Sequence, residues 1–507
     1  MKVFLMYKDH DFDVQQELPW NEPELTQDLE LDTLFNAMAL GDYYLQDAVK
    51  KVIFAGLKDG QDSILYRQSI LKDCLKNPVI VRNLYKIAED AMETKQKNHW
   101  GWLLENSNPA YVMSVSVGAL QMFVGSMKQL RALADEHADK FESDGFKTLF
   151  AMIKKELDAP YFTLIQNHLR RLEFHHGILI GAELGRGNEG TNYILRKPLD
   201  KKLNLMQRLF TKKSPVYSFR IETRDEGGSK ALEELRNKGI KSAVNAVAQS
   251  ADHIDSFFSM LRFELGFYVG CLNLDEQLMK IGEPASFPEP AAVNERQHAF
   301  SGLYDICLAL TVKRKVVSND LNADKKDLVL ITGANQGGKS TFLRSIGLSQ
   351  MMMQCGMFTP AETFRANVCD GLFTHFKREE DITMESGKLD EELKRTSLIV
   401  DRLTLNSLVL FNESFAATNE REGSEIARQI TTGLVEKGIK VFFVTHQYEF
   451  AHGLYERKMP NAVFLRADRE ADGTRTYKLS TGEPLQTSYG EDLYKRVFVN
   501  EKSSGSS

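Results

Sequence analysis

The sequence predicts a multidomain protein in which an all-α region with a small β insertion is followed by an α/β domain. Apolar residues recur at helical spacing, with few prolines or glycines, over residues 24–144. Short β-branched runs around a Gly/Asn-rich turn mark residues 172–223 as the β insertion. From Leu328 onward, a strand, a glycine-rich loop, a helix and further apolar strands follow one another, which is the order of a parallel α/β domain.

Length and composition place the chain among ordinary soluble globular proteins. Its 507 residues allow two to four domains at roughly 100–200 residues each. Hydrophobic residues make up 42% and charged residues 26%, which excludes disordered and collagen-like classes. The net charge of -6 excludes a global positive field, so any contact with nucleic acid must be local. The five cysteines lack paired metal-ligand spacing and indicate reduced thiols in a cytoplasmic protein.

Two segments of the sequence could be mistaken for targeting or membrane signals. The N-terminal apolar run is broken by Lys8 and Asp9 and is too short for a secretory signal. Residues 110–127 carry no charge over 18 residues, which approaches the length of a membrane span. Four polar residues dilute that stretch: Ser114, Ser116, Gln121 and Ser126. We therefore expect a buried helix there and no membrane partner.

A long helix is predicted after the β insertion, and a loop follows it. Apolar residues lie three to five positions apart from Leu232 to Leu265, which gives a helix on the order of 50 Å long at 1.5 Å per residue. A Pro- and Gly-rich loop covers residues 282–290. The predicted domains are an N-terminal segment over 1–30, a helical core and lever domain over 31–314, an α/β domain over 315–497 and a disordered tail over 498–507.

The α/β domain contains a glycine-rich loop that fits a phosphate-binding pattern. Residues 333–340, GANQGGKS, have a Gly, four residues and then Gly-Lys-Ser. The glycines permit backbone conformations that point successive amides at phosphates, and the helix that follows adds its N-terminal dipole. The loop therefore predicts binding of ATP with Mg²⁺. The predicted cofactor-binding residues are Gly333, Asn335, Gly337, Gly338, Lys339, Ser340 and Thr341.

Two side chains of this loop have specific predicted roles. Lys339 would pair with the β and γ phosphates, and the Ser340 hydroxyl would ligate Mg²⁺. A chance match to so short a pattern is the alternative. The predicted strand before the loop and the helix TFLRSIGLSQMMMQ after it argue against chance, because this is the context that the chemistry requires.

The ends of two further strands supply candidate catalytic groups. Glu413 follows the apolar run 408–411 and is predicted to polarise the attacking water beside the metal. A glutamate after a strand is often only a surface charge, but the upstream loop favours catalysis here. Another apolar strand, 441–444, leads to His446, which would either reach a γ phosphate or remain a polar residue at the rim. The chemistry alone leaves both roles of the histidine open.

Together these segments resemble the ATPase motifs of the MutS family. GANQGGKST is similar to its phosphate loop, LVLFNES with ATNEREG to its second acidic motif and D-loop, and FFVTHQYEF to its switch-histidine motif. VVSND at 316–320 and TSYGEDLYKRV at 487–497 are similar to the segments that flank those motifs. RQSILKDCLKNPVIV at 67–81 resembles the start of the helical core in that family. The resemblance covers residues 31–497.

The resemblance implies an ABC-type P-loop ATPase domain that works as a homodimer. In such a dimer ATP lies between two subunits, and signature residues of one subunit complete the site of the other. Ser386 and Gly387 match the Ser-Gly of that signature, but Leu389 stands where a hydroxyl residue is expected. Asn412 replaces the usual Asp of the Mg²⁺ shell. Loss of that negative charge should weaken metal binding and slow hydrolysis.

The resemblance also implies DNA as a partner, recognised by its structure rather than by its sequence. Family members that sense mismatches have an N-terminal recognition domain and a connector, and this sequence, whose helical core begins near Leu31, is expected to lack both. It is also expected to lack the C-terminal nuclease-like domain of some relatives. A basic run at 196–213 would either contact phosphates or form a solvated face.

Three functions compete on the sequence. The first is a nucleotide-gated dimeric clamp on DNA, in mismatch repair, recombination or damage processing, with repair proteins as further partners. The second is an ABC-type ATPase switch that acts on a protein partner and binds no DNA. The third is a scaffold that binds ATP without turning it over.

Overall fold

The computed structural model describes residues 1–97, 108–174, 177–197, 217–378, 387–470 and 474–486, which divide into two units. The first unit consists of Met1–Val3, Arg82–Lys140 and Lys147–Arg262 within the described ranges. The second consists of Phe4–Val81, Phe141–Phe146 and the described residues from Phe263 onward. The protein is therefore multidomain, with a helical region and mixed α/β sheets.

Helices dominate the first half of the chain, as the spacing of its apolar residues predicts. Several of them begin at a side-chain cap: Asp42 accepts a hydrogen bond from the Tyr44 amide, and Asp158 accepts one from the Tyr161 amide. The helices are α1 (Glu22–Asp28), α2 (Leu31–Ala39), α3 (Tyr43–Ala55), α4 (Gln61–Lys76), α5 (Pro78–Lys97), α6 (Pro109–His137), α7 (Asp144–Glu156), α8 (Ala159–Leu172) and α9 (Glu226–Ile281).

One helical stretch, Pro109–Lys140, is long and apolar enough to cross a membrane by length and composition, among the residues that the structure describes. Within the first unit its Phe123 ring stacks on Phe258, with centroids 5.5 Å apart. Arg131 donates hydrogen bonds to the carbonyls of Lys154 and Leu157 at the end of α7. These contacts bury part of the apolar surface of the helix, as expected of a helix that packs in a protein core.

The predicted β insertion contains one hairpin. Strands β1 (Leu179–Leu184) and β2 (Gly190–Arg196) pair antiparallel, and the turn between them includes Gly187 and Asn188 at positive φ. The second predicted stretch, SPVYSFRIE, forms no strand over its described residues 217–222. No neighbouring strand offers hydrogen bonds to those described residues, and Tyr217 is 91% exposed, so its β propensity finds no partner.

Helix α9 is longer than the apolar stripe that predicts it. It has 56 residues, or about 84 Å at 1.5 Å per residue. The residues 263–274 are buried without interruption, so their sequence has no amphipathic period to detect. The residues before that stripe, 226–231, are EGGSKA, and their two glycines have low helix propensity, so local preference does not predict this end of the helix either.

Two sheets organise the second unit. One has the strand order β12-β11-β6-β10-β9-β8 and the other the order β3-β7-β4-β5. The strands are β3 (Glu289–Ala291), β4 (His298–Leu303), β5 (Asn319–Asn322), β6 (Leu328–Gly333), β7 (Thr363–Asn367), β8 (Leu372–Phe376), β9 (Leu408–Asn412), β10 (Lys440–Val444), β11 (Ala462–Arg469) and β12 (Arg475–Thr481). The helices among them are α10 (Ile306–Val312), α11 (Lys339–Gln354), α12 (Lys388–Val400), α13 (Glu420–Glu436) and α14 (Tyr448–Tyr455).

The larger sheet is parallel except at one edge. Strands β11, β6, β10, β9 and β8 pair in parallel, and β12 adds to β11 antiparallel. Val444 of β10 is in register with Ile331 of β6 and with Asn412 of β9, so these strands end at the same level. Ligands of open parallel sheets bind outside the carboxyl ends of the strands. This edge is therefore where a site is expected.

The smaller sheet extends across the predicted domain boundary at residue 315. Strands β3 and β4 precede that position, yet both pair with β7, which follows it. All four strands have six or fewer residues, which is too short for sequence periodicity to reveal them. The boundary itself stays a prediction.

A buried carboxylate anchors the N-terminal segment within the second unit. Glu264 accepts hydrogen bonds from the backbone amides of Leu5, Met6 and Phe12, at 2.7, 3.2 and 2.8 Å. The Tyr268 hydroxyl donates to the Leu5 carbonyl at 2.6 Å. Burial raises the pKa of Glu264 to about 8, and the three amide hydrogen bonds oppose that rise.

A buried arginine joins α4 to the end of α11. Arg67 is fully buried and forms an ion pair with Asp59, with 2.7 Å between Nη1 and the carboxylate oxygen. Its other terminal nitrogen donates to the Gln354 carbonyl at 3.0 Å. Gly356, at a φ of +84°, lies so close that a Cβ there would be 2.5 Å from the Arg67 Cβ. The C-terminal end of α11 is thus fixed by a charged side chain.

Candidate nucleotide-binding site

A cavity of about 880 Å³ lies at the carboxyl ends of β6, β9 and β10. One wall is polar and consists of residues 335–342, Glu413 and His446. The segment 303–319, from the end of β4 through α10 to β5, supplies further lining residues. Its apolar members are Leu303, Tyr304, Leu308, Val312, Val316 and Val317, and its charged members are Asp305, Arg314 and Lys315. A cavity lined by both polar and apolar side chains suits a ligand with a charged end and an apolar end.

The glycine-rich loop connects β6 directly to α11, and three of its glycines are required by the backbone. Gly333 has a φ of +109°, and a Cβ there would lie 2.7 Å from the Ala467 amide nitrogen. Gly338 has a φ of +85° at the N-cap of α11. A Cβ on Gly337 would lie 2.8 Å from the Ala334 carbonyl oxygen. A side chain would displace the loop at Gly333 and Gly337, and it would strain the backbone at Gly338.

Lys339 is the first residue of α11 and lies against the loop. Its ammonium nitrogen donates to the carbonyls of Gly333 at 3.1 Å and Ala334 at 3.0 Å. Burial lowers the pKa of Lys339, while the nearby Glu413 carboxylate opposes that shift. The cation is therefore held beside the loop amides and within the cavity, where an anionic group would meet both.

Ser340 and Asn412 bring together two side-chain oxygens that are possible metal ligands. The Ser340 hydroxyl donates to the Asn412 side-chain oxygen at 3.0 Å. No group of three or more His, Cys, Asp or Glu side chains that could hold a metal occurs among the described residues. A Mg²⁺ ion keeps several waters and binds through a few protein oxygens plus phosphate oxygens. This oxygen-only donor set fits a metal that arrives with a nucleotide.

Glu413 and His446 meet across the ends of neighbouring strands. The Glu413 amide donates to the Val444 carbonyl at 2.8 Å, which ties the end of β9 to the end of β10. His446 Nδ1 lies 3.9 Å from a Glu413 carboxylate oxygen. Glu413 adopts a φ of +54°, a conformation that non-glycine residues rarely adopt and that occurs often at functional sites.

The structure brings nearly all the predicted site residues to this cavity. Gly333 forms the base of the loop, and Asn412 is bonded to Ser340. Ser386 lies outside the described residues. The residues that line the cavity are Asn335, Gly337, Gly338, Lys339, Ser340, Thr341, Glu413 and His446. Their chemical roles stay predictions.

Tyr477 is a cavity residue that sequence patterns do not reveal. It lies on β12 near Gly338, at a φ of +58°. The Asn319 side chain fixes this conformation, because it donates to the Tyr477 carbonyl at 3.2 Å and accepts from the Leu479 amide at 2.8 Å. A tyrosine in a short edge strand has no local signal of such a position. Only the pairing of β11 with β12 brings it to the loop.

A buried histidine supports the chain next to Glu413. His375 Nε2 lies 3.1 Å from the Glu392 carbonyl oxygen, which can only accept, so this nitrogen carries the proton. The other ring nitrogen lies 2.7 Å from the Ser414 hydroxyl oxygen, and that hydroxyl donates to the His375 carbonyl at 2.7 Å. Burial lowers the pKa of His375 to about 4, with Arg395 contributing, so the ring is neutral.

The parallel sheet and the glycine-rich loop at its carboxyl edge define a P-loop α/β protein. Comparison with known families gives two matches: the MutS2 N-terminal domain over residues 59–281 and MutS domain V over residues 329–502. This chain belongs to the MutS family.

Curated relatives agree with that assignment. The DNA mismatch repair protein MutS of Thermotoga maritima is 28% identical over 295 residues, which are 56% of this chain and 34% of the relative. The DNA mismatch repair protein MutS of Thermus aquaticus is 34% identical over 182 residues, 36% of this chain and 22% of the relative. MutS protein homolog 4 of Mus musculus is 30% identical over 197 residues, 37% and 20% respectively. Each match therefore covers only part of the relative: about a third of the Thermotoga maritima protein and about a fifth of the other two.

Proposed function

We propose that this protein binds and hydrolyses ATP with Mg²⁺ and that the bound nucleotide controls its grip on DNA. The main observation in support is that the loop 333–340, Glu413 and His446 all lie at one cavity. The relatives named as DNA mismatch repair proteins support the DNA part. We further propose that DNA is recognised by its structure, in mismatch repair, recombination or damage processing.

The proposed mechanism assigns each group of the cavity one task. The loop amides and Lys339 bind the β and γ phosphates, and Ser340 with Asn412 holds the metal side of the nucleotide. Mg²⁺, when bound, supplies positive charge that offsets the negative charge on the transferred phosphoryl group. Glu413 orients the attacking water and accepts its proton, and His446 contacts the γ phosphate from the neighbouring strand end.

Hydrolysis is proposed to be slow rather than absent. Asn412 offers a neutral amide where the related motif has a carboxylate, so the metal is held with less negative charge. Glu413 remains in position to activate water. The test is the Mg²⁺-dependent ATPase rate of the purified protein against a Lys339→Ala control, because Lys339 is required for phosphate binding. A wild-type rate equal to that of the control would refute the proposal.

We propose an ABC-type homodimer built on the α/β domain 315–497, in which Ser386 of one subunit reaches the nucleotide of the other. The resemblance of the motifs supports this arrangement, since ABC-type sites are completed by a second subunit. A cytoplasmic location is proposed as well, since all five cysteines are unpaired and buried. Light scattering with and without a non-hydrolysable ATP analogue tests the dimer through the measured mass.

A DNA titration separates DNA binding from a switch that acts on a protein partner. Fluorescence anisotropy of a labelled duplex, a mismatched duplex and a branched junction is measured at about 50 and 200 mM salt, with and without the ATP analogue. Nucleotide-dependent binding that weakens with salt supports the DNA clamp, because phosphate contacts release counterions. Absence of binding at low salt with every nucleotide would favour the protein-partner switch. Unchanged turnover in Glu413→Gln would favour a scaffold that binds ATP only.

A further inference from the structure

The backbone of Phe415 is held from two sides. Its amide donates to a carboxylate oxygen of Glu392 at 2.8 Å, and its carbonyl accepts from the Gln447 side-chain amide at 3.0 Å. Phe415 is two residues after Glu413, and Gln447 directly follows His446. The two candidate catalytic groups therefore belong to chain segments that are joined at Phe415.

The segment 413–415 has a backbone conformation that needs outside support. Glu413 and Phe415 have φ values of +54° and +62°, and neither is glycine. Such conformations persist only where surrounding contacts over-determine them. The contacts to Phe415 supply that constraint on one side, and the hydrogen bond from the Glu413 amide to the Val444 carbonyl supplies it on the other.

The contacts to Phe415 are buried and tightly packed. Glu392 is 5% exposed and Gln447 3% exposed, and Phe415 is fully buried. A Cβ on Gly423 of α13 would lie 2.3 Å from the Phe415 carbonyl oxygen and 2.6 Å from the Gln447 amide nitrogen. The glycine thus lets α13 approach this hydrogen bond directly. A displacement of Phe415 toward α13 has no free space to enter.

Glu392 also connects this segment to α12. A buried carboxylate is costly unless it is hydrogen-bonded, and here it has one amide donor with Arg395, Lys388 and Lys377 nearby. Its second oxygen has no hydrogen-bond partner among the described residues. An apolar side chain could fill the same space without that cost. The carboxylate is thus explained by the Phe415 amide that it binds, rather than by packing.

We propose that Glu392 and Gln447 are positioning residues for ATP hydrolysis, which clamp Phe415 and thereby fix the separation of Glu413 and His446. The proposal rests on the proposed ATPase function. Neither residue contacts the cavity. Because only Ser414 separates Phe415 from Glu413 along the chain, a shift at Phe415 moves the Glu413 carboxylate relative to the water it must activate.

The primary test compares three variants of the full chain on the same helix. Glu392→Leu removes the acceptor, Glu392→Gln keeps an amide oxygen that can accept, and Glu391→Leu is the matched control. We expect Glu392→Leu to lower kcat about 10- to 100-fold, since small misplacements of reacting groups cost that much. KM for MgATP should stay within about 2-fold, because the loop and Lys339 are untouched. Glu392→Gln should stay within about 3-fold of wild type, and Glu391→Leu should match it.

A second readout does not depend on hydrolysis. Hydrogen exchange of the peptide 411–418, measured by mass spectrometry, reports protection of the Phe415 amide. Glu392→Leu should speed this exchange about 10-fold or more, while Glu392→Gln and Glu391→Leu should not. Gln447→Leu, which breaks the opposite side of the clamp, should lower kcat too. In the double variant Glu392→Leu with Gln447→Leu, the fold decrease in kcat should be smaller than the product of the two single decreases, because both substitutions act through Phe415.

The outcomes separate the two proposals. Unchanged exchange in both Glu392→Leu and Gln447→Leu would overturn the clamp even if the wild type hydrolyses ATP. Faster exchange with a kcat equal to that of Glu391→Leu would overturn the positioning role. A wild-type rate no higher than that of Lys339→Ala would instead overturn the proposed ATPase and the positioning of hydrolysis with it, while exchange would still show whether Phe415 is clamped. If Glu392→Leu fails to fold, Gln447→Leu is compared with Glu391→Leu instead, through kcat and through exchange of the same peptide.

Discussion

The Ser340 hydroxyl donates a hydrogen bond of 3.0 Å to the side-chain oxygen of Asn412, so a neutral amide faces the first turn of α11. This contact joins the first turn of α11 to the end of β9, where the proposed metal of the nucleotide would lie. An amide oxygen is an acceptable ligand for Mg²⁺, but it contributes no negative charge. A single substitution at residue 412 can therefore test how much negative charge the proposed metal site needs.

Asn412→Asp should strengthen Mg²⁺ binding in the presence of ATP. The added charge favours the divalent cation, and we expect the Mg²⁺ concentration for half-maximal turnover to fall about 10-fold, equivalent to about 1.4 kcal/mol. Titration of Mg²⁺ at fixed ATP measures this, with Asn412→Ser as a neutral control. Equal half-maximal concentrations in Asp and Asn forms would show that residue 412 does not contribute to the metal site.

Gly333→Ala should weaken nucleotide binding. The substituted residue would have to adopt a φ near +109° and place a Cβ 2.7 Å from the Ala467 amide nitrogen. Strain of about 1–3 kcal/mol at this position should shift the loop and raise the Kd for ATP at least about 5-fold. Gly118→Ala is the control, since a Cβ there meets nothing within 4 Å. Binding of a fluorescent ATP analogue measures both, and equal Kd values for the two variants would contradict the expectation.

Stability should fall with rising pH because of Glu264. Its unfolded carboxyl ionises near pH 4.5 and the folded one near pH 8, so the native state holds an extra proton between these values. The stability that this proton contributes is complete below pH 4.5 and is lost as pH rises through 8. Glu264→Gln removes the titration, so the wild-type melting temperature should fall relative to that of the variant as pH rises from 5 to 8. A constant difference across that range would exclude this origin.

Arg67→Met should destabilise the second unit strongly. The substitution leaves the Asp59 carboxylate and the Gln354 carbonyl without their buried partner. Removal of one member of a buried ion pair costs about 3–5 kcal/mol. Urea unfolding, followed by a probe in the second unit, measures the change. The double variant Arg67→Met with Asp59→Asn should recover part of the loss, and no recovery would point to packing rather than charge.

Local sequence patterns were sufficient for the loop and the elements around it. Gly333 ends a buried strand, and Lys339 and Ser340 begin a helix. The apolar run of the strand, the glycine-rich loop and the helix lie within about twenty residues and are recognisable from the local sequence. Glu413 and His446 could be singled out because each follows an apolar strand of the same parallel sheet. These predictions depend on short-range order along the chain.

Contacts between distant segments were not predictable in this way. Glu392 is an ordinary acidic residue on an amphipathic helix, and only tertiary packing pairs it with the Phe415 amide. The four-stranded sheet is assembled from strands of three to six residues that lie up to 78 positions apart, from 289 to 367. Conversely, residues 217–222 have strand-like composition but no described strand beside them. β structure depends on partners that a local pattern does not contain.

The shared register of β6, β10 and β9 has a consequence for how this protein tolerates length changes. Val444 aligns with both Ile331 and Asn412, so one inserted residue in β10 would turn its side chains to opposite faces and move His446 by about 3.3 Å. The turns that lead into these strands, at 401–407 and 437–439, have no such restriction. Insertions and deletions among natural variants should therefore collect at the amino-terminal ends of the strands and be absent from the opposite ends.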